Sequence, residues 1–344
     1  MAADIAEQPE VFARLLTADR AGAIARVAAA IAHRRPRHVV LTARGTSDHA
    51  ALYAAYLAEI RLGLPAGLAS PSTITVFEAR PALADALVIA VSQSGGSSDI
   101  AEVVKVARAA GALTVAVTNN PASPLAATAE LAVDIAAGHE RAVAATKTYT
   151  AELLALLMLV EGVRTGDGRL PAPERAALDA LVPLAADLLA DPTAVDLATR
   201  YRFAGRVVTT GRGYAYPTAR EAALKLMETS YLPALAFSGA DLLHGPLAMA
   251  DPDVPVLAVV GGGPGGEAMR PVLDQLRERR ADIVTVGPAE VPGTAGRIRV
   301  PDVDERYAPL LDILPLQRLA LALALSRGQD PDAPRGLSKV TSTR

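Results

Sequence analysis

The chain has 344 residues, a formal net charge of −3, and a composition that is 51% hydrophobic but only 3% aromatic. Its length exceeds one ordinary domain, its mild acidity and lack of a long basic run argue against nucleic acid as a partner, and its zero cysteines exclude disulfides, thiolate metal sites and cysteine nucleophiles. No basic flank leads into an apolar signal-like core, and no apolar run of about 18 residues is free of charge, proline or glycine, so the sequence predicts a soluble cytoplasmic protein with no membrane span.

Taken in chain order, residues 4–34 read as a helical segment that ends in the short surface cluster Arg34-Arg35-Pro36-Arg37. His38-Val39-Val40-Leu41-Thr42 follows as a strand ending in Arg44-Gly45 and leading to a helix. Leu87-Val88-Ile89-Ala90-Val91 is an uninterrupted apolar run, the pattern of a buried parallel strand. After it come Ser92-Gln93-Ser94-Gly95-Gly96-Ser97-Ser98-Asp99, then a helix with apolar residues at 100, 103, 104 and 107 on one face. A helix N-terminus presents unpaired N–H groups and partial positive charge. Hydroxyls and glycines gathered there suit an anion, above all a phosphate; an ordinary serine-capped turn is the structural alternative. A third strand, Leu113-Thr114-Val115-Ala116-Val117, completes the set.

The chain then repeats itself. Arg206-Val207-Val208-Thr209-Thr210-Gly211-Arg212-Gly213 resembles the segment at His38–Gly45 at an offset of 168 residues, and the same offset sets Pro255–Val259 against Leu87–Val91. A third strand recurs at Asp282–Val286. Strands alternating with helices imply an α/β fold of two tandem domains, each a parallel sheet flanked by helices, with sites beyond the strands' C-terminal ends. The expected organisation is an N-terminal helical segment (1–34), a first domain (35–165), a linker helix (166–194), a second domain (195–330) and a C-terminal tail (331–344). The second copy holds Gly261-Gly262-Gly263-Pro264-Gly265-Gly266 where the first holds the serines, so the first is expected to bind the anion. Gly211-Arg212-Gly213 invites a dinucleotide-binding reading, but Tyr216 stands where the third glycine belongs, and no suitable acid follows a second strand.

Glu221, Lys225 and Glu228 stand at i, i+4 and i+7 on one face of a largely apolar helix. On the surface they would form a Glu–Lys pair worth about 0.3–0.5 kcal/mol. Turned inward, burial and like charge would push a glutamate towards proton-transfer duty near neutral pH. His244, in Asp241-Leu242-Leu243-His244-Gly245-Pro246, is either a structural loop residue or a catalytic one. No pair among the five histidines has metal-ligand spacing, and neither a metal nor another cofactor is expected. By composition alone, Lys339 in the tail reads as solvated.

Six segments in order, Arg-Gly-Thr-Ser (44–47), Ser-Gln-Ser-Gly (92–95), Ala-Thr-Lys (145–147), Glu-(x)3-Lys-(x)2-Glu (221–228), His-Gly-Pro (244–246) and Pro-Arg-x-Leu-x-Lys (334–339), resemble the sugar-isomerase (SIS) domain family. The likeness is to the isomerase half of glucosamine-6-phosphate synthase and runs from about residue 35 onward. With about 34 residues before that point and no cysteine, the chain is not expected to release ammonia from glutamine. Asp99 and the opening Glu7-Gln8-Pro9 also resemble the stand-alone SIS-type glucosamine-6-phosphate deaminases.

The resemblance implies that Thr46, Ser47, Ser92, Gln93, Ser94 and Ser97 hold the phosphate and sugar hydroxyls, with Val143 lining the site. It implies that Glu228 moves a proton between C1 and C2, supported by Lys225 and Glu221. His244 would open the sugar ring from the neighbouring subunit of a homodimer, and Lys339 would close over the substrate and form an imine with it. The sequence departs from the synthase pattern at Gly96, Ala145, Asp241 and Leu243; a lost hydroxyl at Ala145 costs about 0.5–1.5 kcal/mol. The expected reaction is glucosamine 6-phosphate plus water to fructose 6-phosphate plus ammonia. A fructosamine-6-phosphate deglycase, a plain sugar-phosphate isomerase and a non-catalytic phosphosugar-binding module are the alternatives.

Overall fold

The computed structural model describes residues 1–338. The chain folds into two compact units, one formed by Glu7–Glu140 and Lys147–Val182, the other by Met1–Ala6, Arg141–Thr146 and Pro183–Leu337. We refer to them as the serine-loop unit and the glutamate-helix unit.

The serine-loop unit is built on five strands, β1 (His38–Thr42), β2 (Ala66–Leu68), β3 (Ala86–Ser92), β4 (Leu113–Thr118) and β5 (Leu131–Asp134), in the order β2-β1-β3-β4-β5. Every neighbouring pair is parallel, with Thr42 opposite Ala90 and Ser92 opposite Thr118. The central strands β3 and β4 are buried along their whole length, which explains why they are aliphatic apart from Ser92, Thr114 and Thr118. Ile100 and Val104, on the Ser98–Ala109 helix, pack with Ala90, Ala116 and Leu125. Burying a side chain of this kind stabilises by about 1.5–3 kcal/mol. That packing fixes the helix start beside the end of β3.

The glutamate-helix unit repeats the plan with β6 (Val207–Gly211), β7 (Ala234–Ser238), β8 (Pro255–Val259), β9 (Asp282–Gly287) and β10 (Gly296–Arg299), in the order β10-β9-β8-β6-β7. Read from its first strand, this is the same parallel topology as the other sheet. Its core joins Val208, Val256 and Ala258 of the sheet to Met269, Val272 and Leu276. The Ala308–Ser326 helix is long and apolar enough to cross a bilayer by composition, yet most of it is buried inside the folded chain. It serves as a core helix against the Ala215–Ser230 helix, where Thr229 Oγ1 reaches the Ala320 carbonyl at 3.5 Å. Within the stretch 166–194, expected to hold a linker helix, a helix spans Ala172–Ala190.

In each sheet the strand order reverses between the first and third strands. A doubly wound sheet opens its ligand crevice at that point, beyond the carboxyl ends of the two strands. The relevant loops are 43–45 and 93–97 in one unit, and 212–214 and 260–263 in the other.

Candidate functional site

At the first crevice, Thr46 opens the Thr46–Leu57 helix and Ser97 is the N-cap of the Ser98–Ala109 helix. Two helices of twelve residues thus begin at the ends of adjacent strands, with the partial positive charge of their N-termini at the crevice. The serine loop is held by its own atoms. Gly95 N–H donates to Ser92 Oγ and Gly96 N–H to Ser94 Oγ, both at 3.2 Å. These hydroxyls act as acceptors within the loop, so their protons remain to be donated outward. Ser97 makes no side-chain capping bond, unlike Ser123 and Ser238, which cap their helices through Oγ. Ser97 thus holds the N-cap position without using its hydroxyl as a cap. The Gln93 carbonyl accepts from Asn119 N–H at 3.1 Å, tying the loop to the end of β4. Gly95 has φ +62°, and a Cβ there would run into Ser123, so the turn requires glycine.

Ser47 faces the other way. Its Oγ donates to the buried Glu152 carboxylate at 2.8 Å, leaving only its backbone amide and lone pairs for a ligand. Val143 is half-buried in the segment Arg141–Thr146, which belongs to the glutamate-helix unit. There the amides of Arg141 and Ala142 donate to Asp4 at 3.1 and 2.9 Å.

The charged stripe of the Ala215–Ser230 helix lies inward. Glu221 and Lys225 are fully buried, and Glu228 is 23% exposed. Lys225 Nζ lies 3.2 Å from Glu221 Oε1 and 2.5 Å from Glu228 Oε2. Burial alone would lower the ammonium pKa, but the two carboxylates outweigh it and hold Lys225 above its ordinary value. The like charges expected to reinforce one another across this stripe are therefore bridged by a cation. Thr209 Oγ1 donates to the Ala219 carbonyl at 2.8 Å and fastens the helix to β6. Together these contacts give one buried carboxylate, one buried ammonium and one carboxylate with an open side.

His244 is exposed just past the Gly239–Leu243 helix, its N–H donating to the Asp241 carbonyl at 3.0 Å. Ser238 caps that helix and donates its hydroxyl to Asp241 Oδ2 at 2.8 Å, so the aspartate that departs from the synthase pattern braces the histidine loop. Lys339 lies outside the described residues. The tail before it is anchored at Tyr231, three residues past Glu228: Arg335 N–H donates to the tyrosine hydroxyl at 2.5 Å, and its guanidinium lies 4.8 Å from the ring centre.

The crevice at the end of β6 and β8 is occupied by the chain itself. Gly265 and Gly266 N–H groups each donate to the Glu305 carboxylate at 3.2 Å. A Cβ on Gly263 would come within 2.7 Å of that carboxylate, so the glycine-rich loop exists to let Glu305 approach. Asp312, fully buried nearby on the Ala308–Ser326 helix, is pushed well above the ordinary carboxyl range by burial, with the Glu305 charge adding to the shift.

Sequence reasoning did not single out Arg44 or Glu305 as functional. Arg44 donates from Nε and pairs from Nη2 to Asp99 Oδ2, both at 2.9 Å. The signal for it was present, because arginine recurs at position 212 under the repeat offset.

Comparison with known proteins agrees with this geometry. The SIS domain family model matches residues 33–162 and 201–287, and the chain belongs to that family. A relative is the glutamine–fructose-6-phosphate aminotransferase (isomerizing) of Gloeobacter violaceus, 34% identical over 320 residues. That match covers 88% of this chain and 51% of the relative, so the chain spans about half the length of the curated relatives it matches. Among solved structures, a Silicibacter pomeroyi protein named provisionally as a phosphosugar isomerase superposes with a TM-score of 0.85 at 36% identity, covering 96% of this chain and 99% of that one. The C-terminal domain of glucosamine-fructose-6-phosphate aminotransferase from Francisella tularensis gives a TM-score of 0.83 at 25% identity, covering 96% of each chain.

Proposed function

We propose that this protein is an amino-sugar phosphate deaminase, converting glucosamine 6-phosphate and water to fructose 6-phosphate and ammonia. The observation that carries the reading is the buried Glu221–Lys225–Glu228 relay, which ends in a carboxylate open on one side. A module that only binds phosphosugar has no use for two fully buried charges leading to a third at the surface, since desolvation costs several kcal/mol per buried ion unless well paired.

The serine loop holds the phosphate through hydroxyl protons and helix-terminal amides, so remote binding energy positions the reacting carbons. His244, contributed by the partner copy of a homodimer, assists ring opening. Glu228 then removes the C2 proton of the open-chain aldose and returns a proton at C1, converting the amine at C2 to an imine. Water adds to C2, the C–N bond breaks, and ammonia leaves as the ketone forms. Carboxylate proton shuttling of this kind is worth about 10²–10⁴-fold. Lys225 holds the Glu228 carboxylate in place, and Lys339 in the tail closes over the substrate.

The test is to incubate the pure protein with glucosamine 6-phosphate and follow ammonia and fructose 6-phosphate together. Stoichiometric release of both is expected, and Glu228→Gln should bind fructose 6-phosphate while losing turnover. Aldose–ketose exchange without ammonia would replace the deaminase with a plain isomerase. Turnover only of N-alkylated amines would make it a deglycase, and no turnover of any of these would end the catalytic reading.

A further inference from the structure

We infer that Arg44 is a phosphate-binding residue of the serine-loop crevice, held in position by Asp99. The inference rests on the reading of that crevice as a phosphosugar site and adds to it a charged contact that hydroxyls and amides alone do not provide. Arg44 lies between the end of β1 and the Thr46–Leu57 helix. It bonds across the crevice to Asp99, in the first turn of the Ser98–Ala109 helix and 55 residues away in the chain.

The pair is asymmetric. The Asp99 side chain is fully buried, whereas that of Arg44 is 48% exposed. Nε and Nη2 converge on a single carboxylate oxygen, Oδ2, while Oδ1 accepts the Ile100 N–H at 2.9 Å. Asp99 is thus fixed from both sides, and Nη1 of the guanidinium is left for solvent or ligand. A buried carboxylate beside an anion cradle would by itself repel phosphate. A pinned arginine cancels that charge and offers the planar donor geometry suited to phosphate oxygens.

The second crevice supplies the contrast. Arg212 and Glu267 stand at the positions equivalent to Arg44 and Asp99, and both are exposed. That crevice is filled by Glu305, and its arginine is not pinned. The braced pair occurs where the anion site is open.

The experiment measures fructose 6-phosphate binding and the pH dependence of KM for Arg44→Gln, Arg44→Lys and the double variant Arg44→Gln/Asp99→Asn, with thermal melts to verify folding. Losing a hydrogen bond to a charged group should weaken binding about tenfold, raising KM and leaving kcat little changed. The phosphate takes its second charge near pH 6. KM should therefore fall as pH rises through that value in the wild type and do so less steeply in Arg44→Gln. The double variant removes the buried charge together with its partner. If Arg44 only neutralised Asp99, the double variant would bind as the wild type does, and that result would overturn the inference. If Arg44 touches phosphate, the loss persists, and Arg44→Lys recovers part of it. A parallel Ser94→Ala/Ser97→Ala variant separates the two levels: weakened binding there with unchanged binding in Arg44→Gln sinks only the arginine, whereas unchanged binding in both sinks the crevice reading.

Discussion

Beyond β1 and β3 the chain places serine hydroxyls, two helix N-termini and a pinned arginine; beyond β6 and β8 it places glycines wrapped around its own Glu305. Both crevices are built on one strand order. The difference is made by a few side chains. In the first, Ser92 and Ser94 accept amide protons from within the loop and keep it open. In the second, the amides of Gly265 and Gly266 are satisfied by a carboxylate arriving from 40 and 39 residues away. The topology supplies an anion-binding geometry twice. On the proposed reading, a few side chains decide whether the anion is a ligand or part of the protein.

The largest effect on this contrast is expected from closing the open crevice. Gly95→Val would force a branched residue into a positive-φ position and drive its Cβ into Ser123. The serine loop should lose its shape, and affinity for fructose 6-phosphate should fall by roughly a hundredfold or more, since strain of this kind costs about 1–3 kcal/mol and the loop's contacts are lost with it. Calorimetric titration beside a thermal melt measures it. Wild-type affinity in a folded Gly95→Val variant would mean that the loop's geometry does not serve the anion.

The next effect concerns the charge gathered at the second crevice. Asp312 has its pKa raised above the ordinary 3.8 by burial and by the Glu305 charge. The folded state therefore holds this proton more tightly than the unfolded state does. The favourable contribution is complete below the unfolded value and is lost as pH rises from there through the folded value. Asp312→Asn removes the dependence, so its stability relative to the wild type should increase from pH 4 to pH 7.5 in urea denaturation. An equal difference at both pH values would show that Asp312 does not titrate differently on folding.

The strands legible in the sequence were all interior ones: β1, β3, β4, β6, β8 and β9 each carry a run of β-branched and aliphatic residues. The four that were not read, β2, β5, β7 and β10, are the sheet edges. An interior strand of a parallel sheet is covered on both faces and is therefore largely apolar, whereas β2 is three residues long and β10 reads Gly-Arg-Ile-Arg. The site divides along a similar line. The serine loop and the glutamate stripe are local patterns and could be read from spacing. Whether the stripe faced inward could not, because it depends on the Ala308–Ser326 helix, whose Ala320 carbonyl lies 91 residues from Thr229. The Arg44–Asp99 brace and the Glu305 plug also join distant segments, and nothing in either segment alone announces its partner.

The smallest expected effect is the most direct test of the comparison. Glu305→Ala removes two charge-assisted bonds to part-buried loop amides at a cost of about 1.5–3 kcal/mol, visible as a lower melting temperature with turnover unchanged. The emptied loop should still not bind inorganic phosphate. It lacks the hydroxyls of the first crevice, and its helix, Pro264–Glu267, spans only four residues, too short to carry a full terminal dipole. Phosphate titrated against this variant therefore asks what makes the first crevice a binding site. If saturable phosphate binding appears once Glu305 is gone, the strand order and glycine amides suffice, and the serines tune an affinity that the fold already provides. If none appears, binding depends on the hydroxyls and the braced arginine rather than on the topology the two crevices share.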